Sequence, residues 1–328
     1  MKIRFLRDPR FRRALLIALA VLTVLGIALN VLAYRHARAM LNFTADAVRS
    51  GAPETLGFTE KVGVLVNGVR IPRPKTTGTP ADIGPGCTTL TIESAPGIQR
   101  GAWHCAGATG RPLVLLFHGS GGEKGGMQRE AQAFLAMGLS VLLVDFRGSG
   151  ESTGSHTTVG FEEGVDVARS LTFARTNWPG HRMILYGQSM GGAAILRAIH
   201  AHGARPDGIV IEAVFNRLLD TVRHRFEAMG VPSFPSAELL VFWGGQQAGF
   251  DAFSHNPVEY AASVECPALF LHGTEDPRAR VAEARQVFDA IAGPKHFQSF
   301  PQLGHESSLR HHPGDWHRAL TPFLRTVE

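Results

Sequence analysis

Cysteine is scarce in this chain. Three among 328 residues exclude a small disulfide scaffold, and no two of them stand at zinc-site spacing. Repeats of solenoid or propeller period are missing, which points to a single fold. An excess of one charge is missing too, except at one end. Residues 1–13 hold six of the 33 basic residues and one of the 28 acidic ones, so the rest of the chain is balanced. A nucleic-acid partner needs a basic face on the folded part, and that class is excluded. The glycine-rich stretch LLFHGSGGEKGG does not form a P-loop, because Lys124 is followed by Gly125 and Gly126 instead of Ser or Thr.

The first thing present is Ala14–Tyr34, 21 residues without a charge, long enough to cross a bilayer as a helix. The basic residues before it outnumber Arg35 and Arg38 behind it, which predicts a cytoplasmic N-terminus and a domain outside the cytoplasm, periplasmic in a Gram-negative host. A cleaved signal peptide is the rival, since Ala37-Arg38-Ala39 resembles a cleavage site. Secretory apolar regions run about 7–15 residues, so the length favours an uncleaved anchor. The expected layout is a basic tail over 1–13, a membrane helix over 14–34, a tether over 35–86 that partly packs on the domain, and the main domain over 87–328.

From residue 88 the chain alternates strands and helices. Cys87 and Cys105 flank a predicted hairpin turning at Ala95-Pro96-Gly97 and are equidistant from Pro96, so a regular antiparallel register would set them opposite each other as a disulfide. A bulge would break that register. Continuous apolar runs at 112–117, 139–146, 182–188, 208–213 and 267–272, with a last strand at 295–300, read as strands covered on both faces. Phe161, Val165, Ala168 and Leu171 recur at helical spacing, as do Val281, Ala284, Phe288 and Ile291. The fold class is α/β, with an antiparallel N-terminal hairpin leading into a mostly parallel sheet between helices. The connection over about 214–264 is too long for one crossover helix. Its dense aromatics suggest a small helical cap over the strand ends, or an excursion packing its own small core.

Gly187-Gln188-Ser189-Met190-Gly191 has the form of a sharp strand-to-helix turn that lifts a serine above a parallel sheet. A serine in a glycine-rich connection is not by itself a nucleophile, because the hydroxyl needs a base and the base an orienting group. In open parallel sheets such partners stand beyond the carboxyl ends of strands. LFLHGTEDPRA ends one strand and presents Asp276, with Glu275 as its neighbour; FPQLGHESSL ends the next and presents His305. His118 and His272 close apolar strands and read as packed histidines, while His311, His312 and His317 sit near the final helix. The order serine, acid, histidine selects Ser189 as nucleophile, Asp276 as acid and His305 as base. Oxyanion donors are expected from the backbone N–H groups of Met190 and Ser120, the latter in the loop after residues 112–117. The Ser120 hydroxyl is a rival nucleophile that lacks the strand-to-helix context.

With these residues placed, the chain resembles the α/β-hydrolase fold serine hydrolases, in particular the branch of serine-aminopeptidase-like, monoacylglycerol-lipase-like and small esterase proteins. The resemblance spans about residues 87–326. It rests on His118-Gly119-Ser120, the run from Asp145 to Ser152, the turn around Ser189, the stretch from His272 to Asp276, and Gly304-His305. It implies a Ser189–His305–Asp276 triad, an acyl-enzyme and no metal or organic cofactor, with Arg147 as a structural residue. The expected function is a membrane-anchored hydrolase of carboxylic esters, with acyl or lipid-like substrates favoured by the apolar cap. A serine aminopeptidase, a thioesterase and a non-catalytic binding protein are the alternatives.

Overall fold

The computed structural model describes residues 8–45, 48, 50–51 and 55–328. Residues 1–7, about half of the expected basic tail, lie outside the described residues. Eight strands form one sheet: β1 (Thr88–Ala95), β2 (Ile98–Cys105), β3 (Leu113–Phe117), β4 (Ser140–Val144), β5 (Met183–Gln188), β6 (Gly208–Glu212), β7 (Ala268–Gly273) and β8 (Lys295–Phe300). Their spatial order is β1-β2-β4-β3-β5-β6-β7-β8. Only the pairings of β1 with β2 and of β2 with β4 are antiparallel; the others are parallel.

The helices are α1 (Pro9–Leu41), α2 (Phe58–Asn67), α3 (Gln128–Ala136), α4 (Glu163–Asn177), α5 (Met190–His202), α6 (Leu218–Met229), α7 (Ser236–Ala248), the single turn α8 (Pro257–Tyr260), α9 (Val281–Ala290), the single turn α10 (Ser308–His311) and α11 (Pro313–Val327). Strand alternation sorts the core into two layers. Leu113, Leu115 and Phe117 of β3 face the side covered by α4, α5 and α9. Val114 and Leu116 face α3 and α11, where Phe134, Trp316 and Leu320 are buried. Strands β3 to β7 are therefore buried along almost their whole length, which their unbroken apolar character predicts.

The hairpin corrects one expectation. Its tight turn pairs Ala95 with Ile98, and a register irregularity between Glu93 and Ala95 then sets Thr88 opposite His104. The bulge does not break the alignment of the cysteines; by absorbing one residue it creates it. Cys87 and Cys105 form a disulfide. Cys266, just before β7, is a free, partly exposed thiol.

Helix α1 starts with Asp8 as cap, its carboxylate accepting the Arg10 N–H at 2.8 Å, and with Pro9 in the first turn. It continues beyond the apolar run to Leu41 without a break. Its first part stands exposed, whereas Ala33 and Ala37 are buried. Ala37 packs into a small core with Val222, Ala237, Leu240 and Val241 of α6 and α7. The Trp243 indole N–H donates to Asn30 at 3.2 Å, and the Gln247 amide to the Tyr34 carbonyl at 3.0 Å. The insertion thus does build its own small core, and α1 completes it.

Residues after α1 also lie on the domain. Phe43 N–H donates to the Ser155 carbonyl at 2.8 Å, and Arg73 reaches the carbonyls of Gly148 and Ser152. Helix α2 lies within the stretch read as a tether. Lys61 on α2 donates to the Ala228 carbonyl of α6 at 2.9 Å, and His36 of α1 donates to the Leu65 carbonyl at 3.0 Å. The short helix therefore bridges α1 and α6.

Candidate active site

Ser189 sits between the end of β5 and the first residue of α5, with φ 52° and ψ −114°. A non-glycine residue adopts this strained conformation only when its surroundings impose it. Two glycines make the turn possible. A Cβ at Gly191 would stand 2.3 Å from the Phe117 carbonyl oxygen, and one at Gly187 would stand 2.5 Å from the Gly191 carbonyl carbon. The Ser189 N–H donates to the Glu212 carbonyl at 2.7 Å, so β6 holds the turn as well.

Beyond β7 and β8 the chain brings Asp276 and His305 to this turn. His305 Nε2 lies 3.0 Å from Ser189 Oγ, and His305 Nδ1 lies 2.7 Å from Asp276 Oδ2. Asp276 Oδ1 accepts from the N–H groups of Arg278 at 2.8 Å and Ala279 at 3.0 Å. Burial raises the Asp276 pKa, but the hydrogen bond and attraction from His305, joined by those two N–H groups, outweigh it and hold the carboxyl below its ordinary value. An ionised Asp276 is acceptor only, which assigns the proton to His305 Nδ1 and leaves Nε2 to accept from the serine hydroxyl. The neighbour Glu275 points to solvent, while its N–H donates to the Leu303 carbonyl at 2.9 Å and ties the two loops together. Gly273 lets them approach, since a Cβ there would stand 2.3 Å from the Leu303 carbonyl oxygen.

The loop after β3 lies next to the turn because β3 and β5 are paired neighbours, with Phe117 opposite Gly187. Gly119, Ser120, Gln188, Ser189 and His305 border one cavity. Met190 opens α5, so its N–H belongs to the first helical turn, which has no intrahelical acceptor. His118 shapes the loop: Nδ1 donates to the Gly119 carbonyl at 2.8 Å and Nε2 accepts the Phe146 N–H at 3.1 Å. Burial lowers its pKa and keeps the ring neutral. His272 donates to the Ala279 carbonyl at 2.7 Å and is likewise buried. Arg147 bonds Asp166 through its N–H and Nε groups, each at 3.1 Å, and does not line the cavity beside Ser189.

Behind the His305 loop lies a cluster that sequence reasoning passes over. Glu212, at the end of β6, accepts from the N–H and the hydroxyl of Ser308, each at 2.6 Å, and from the Tyr186 hydroxyl. Glu130 of α3 accepts from the Ser307 hydroxyl at 2.7 Å. Burial pushes the Glu212 carboxyl up to about 7 and raises Glu130 as well. The available signal is a glutamate closing the apolar run Gly208–Glu212, where an unpartnered carboxyl would be costly.

The cavity holds about 720 Å³. Its apolar walls include Met40 of α1, Val64 and Leu65 of α2, Val222 and Phe226 of α6, and Leu240 of α7, and its charged lining includes Arg70, Arg225, Arg278 and Arg310. Among the described residues no group of three or more His, Cys, Asp and Glu side chains suits a metal ion.

The sheet order, the strained serine turn at its centre and the loops beyond β7 and β8 define the fold, which is that of the α/β-hydrolases. The family described as "Serine aminopeptidase, S33" matches residues 108–259. Among curated proteins, YqkD of Bacillus subtilis is 25% identical over 243 residues, 72% of this chain and 79% of that protein. Lysophosphatidylserine lipase ABHD12 of Danio rerio is 23% identical over 262 residues, 71% of this chain and 66% of its own. Among solved structures, esterase Pf2001 of Pyrococcus furiosus superposes with a TM-score of 0.62 at 19% identity, covering 77% of this chain and 98% of the esterase. That likeness concerns the fold.

Proposed function

We propose that this protein is a serine hydrolase of carboxylic esters, anchored in a membrane by α1 with its domain outside the cytoplasm. The observation that carries the reading is the hydrogen-bonded line from Ser189 Oγ through His305 to Asp276, at 3.0 and 2.7 Å, opening on a largely apolar cavity. Ser189 attacks the ester carbonyl as His305 Nε2 takes its proton, and Asp276 holds the resulting imidazolium. The N–H groups of Ser120 and Met190 face the developing oxyanion. His305 passes the proton to the departing alcohol, then draws one from the water that cleaves the acyl-enzyme. The chemistry requires no metal or organic cofactor.

The arginines around the cavity favour an amphiphilic ester that carries a negative charge, in keeping with a relative named for a lysophosphatidylserine lipase. They weigh against an aminopeptidase, whose substrate amine needs an acidic subsite. Glu306 is the acidic residue lining the cavity, and it is paired with His311 at 2.6 Å. A thioester would be cleaved by the same groups. A binding protein would have no need of all three.

The test is turnover of a chain-length series of chromogenic esters by the detergent-solubilised protein. Ser189→Ala is expected to lower the rate by on the order of 10⁶ while circular dichroism stays that of the parent. Undiminished turnover in a folded Ser189→Ala protein would end the serine mechanism.

A further inference from the structure

An anchor that merely tethers an enzyme has no reason to touch the substrate site, yet α1 does. His36 and Met40, in its last two turns, line the same cavity as Ser189 and His305. Helix α2 closes the wall beside them, fixed to α1 by the bond from His36 to the Leu65 carbonyl and to α6 by Lys61. Ala37, between the two lining residues, is buried in the core of the cap. The wall is thus built jointly by the anchor and the cap.

The depth of this wall follows from the helix itself. A hydrocarbon core of about 30 Å takes about 20 helical residues, so a span beginning after Arg13 reaches its far boundary near Ala33 and Tyr34. Trp243 of α7 bonds Asn30 and stacks edge-on to Tyr34, with ring centroids 5.5 Å apart. It therefore stands at that boundary, where aromatic side chains are favoured. Phe242 beside it is exposed. Met40 lies six residues beyond Tyr34, about 9 Å further along the helix axis. Headgroup layers are about 5–8 Å deep. His36, two residues beyond Tyr34, lies only about 3 Å further, so the cavity wall begins at headgroup level with His36 and Met40 stands just outside it, with no stretch of free chain between the site and the bilayer.

We propose that the last turns of α1 form the acyl-binding wall of the site, through His36 and Met40, so that the cavity receives the chain of a single-chain amphiphile resident in the leaflet that α1 crosses. The proposal rests on the reading of α1 as a membrane helix and of Ser189 as the nucleophile. Apolar burial against Met40, Leu65, Phe226 and Leu240 offsets the removal of the chain from the bilayer, and the scissile ester is left near Ser189.

The test uses the full chain in phosphatidylcholine vesicles. Turnover of a long-chain nitrophenyl ester in the vesicles is compared with that of a short soluble one, for the parent, Met40→Trp, and Leu22→Trp on the exposed part of α1. The ratio of long- to short-chain turnover should fall at least about ten-fold in Met40→Trp, the size of effect a lost or blocked apolar subsite gives, and stay at the parent value in Leu22→Trp. In parallel, a non-hydrolysable, diazirine-tagged single-chain ether is photolysed with the parent and with Ser189→Ala, and the labelled positions are read by peptide mass analysis. Label at Met40 in both proteins, lost in Met40→Trp, is the expected result. An unchanged ratio, or label confined to the exposed turns around Leu15–Leu25, overturns the proposal. Because labelling needs no turnover, it decides the wall even if Ser189→Ala retains activity and the serine mechanism fails.

Discussion

At the scale of single residues, two carboxyls near the site have opposite environments. Asp276 is buried, but His305 and two backbone N–H groups keep it ionised, so it fixes the imidazole tautomer. Asp276→Asn should leave the fold intact and lower turnover by about 10⁴, measured on the ester that the parent cleaves best. Glu212 has no cationic partner among its hydrogen bonds, and burial lifts its pKa from 4.5 to about 7. The folded protein therefore binds this proton more tightly than the unfolded chain does. The associated stabilisation is full below about pH 4.5 and disappears as the pH rises through about 7; it amounts to on the order of 3 kcal/mol. Glu212→Gln should flatten the fall in Tm between pH 5 and pH 8. An equally steep fall in the variant would assign the pH dependence to another group.

At the scale of elements, the strand-to-helix turn depends on close backbone approach. Gly191→Ala places a Cβ 2.3 Å from a main-chain oxygen of β3, which cannot move without disturbing the sheet. The variant should lose about 1–3 kcal/mol of stability and most of its turnover, because α5 must shift and carry Ser189 away from His305. Gly304, beside His305, has nothing within 4 Å of the corresponding position. Gly304→Ala should melt close to the parent, and a scan of both variants by thermal denaturation separates a packing constraint from a general intolerance at the site. Strands β3 to β7 were legible because each is a near-continuous apolar run between turn residues, and the observed ranges differ from the expected ones only at their ends. Helix α2 was not, since Phe58–Asn67 has apolar residues on more than one face and a glycine within it. Its inner face is defined by α1 and α6, which lie far from it in sequence or across a break in the apolar pattern.

At the scale of the whole molecule, α1 joins two environments. Its exposed turns suit a bilayer by length and composition, while its last turns are packed against the domain, with Ala37 in the small core of α6 and α7. The proposed orientation predicts that a reporter active only outside the cytoplasm, fused at the C-terminus, gives signal in cells, whereas a cytoplasm-specific reporter gives none. The reverse pattern would contradict the orientation and leave the Cys87–Cys105 disulfide in a reducing compartment.

Covalent order and local periodicity carried much of this protein in readable form. They include the alternation of strands and helices, the apolar N-terminal run, the pairing of two cysteines about a turn, and the succession of Ser189, Asp276 and His305 beyond strand ends. Each of these is expressed within a short window or in chain order. The remainder depends on packing between distant segments. A hairpin bulge set the cysteine register, Glu212 became the support of the His305 loop, and α1 met α6 and α7 at Ala37 and the cavity at Met40. No local pattern encodes such contacts, because a partly apolar helix face is compatible with several partners until the whole chain has chosen which one to bury.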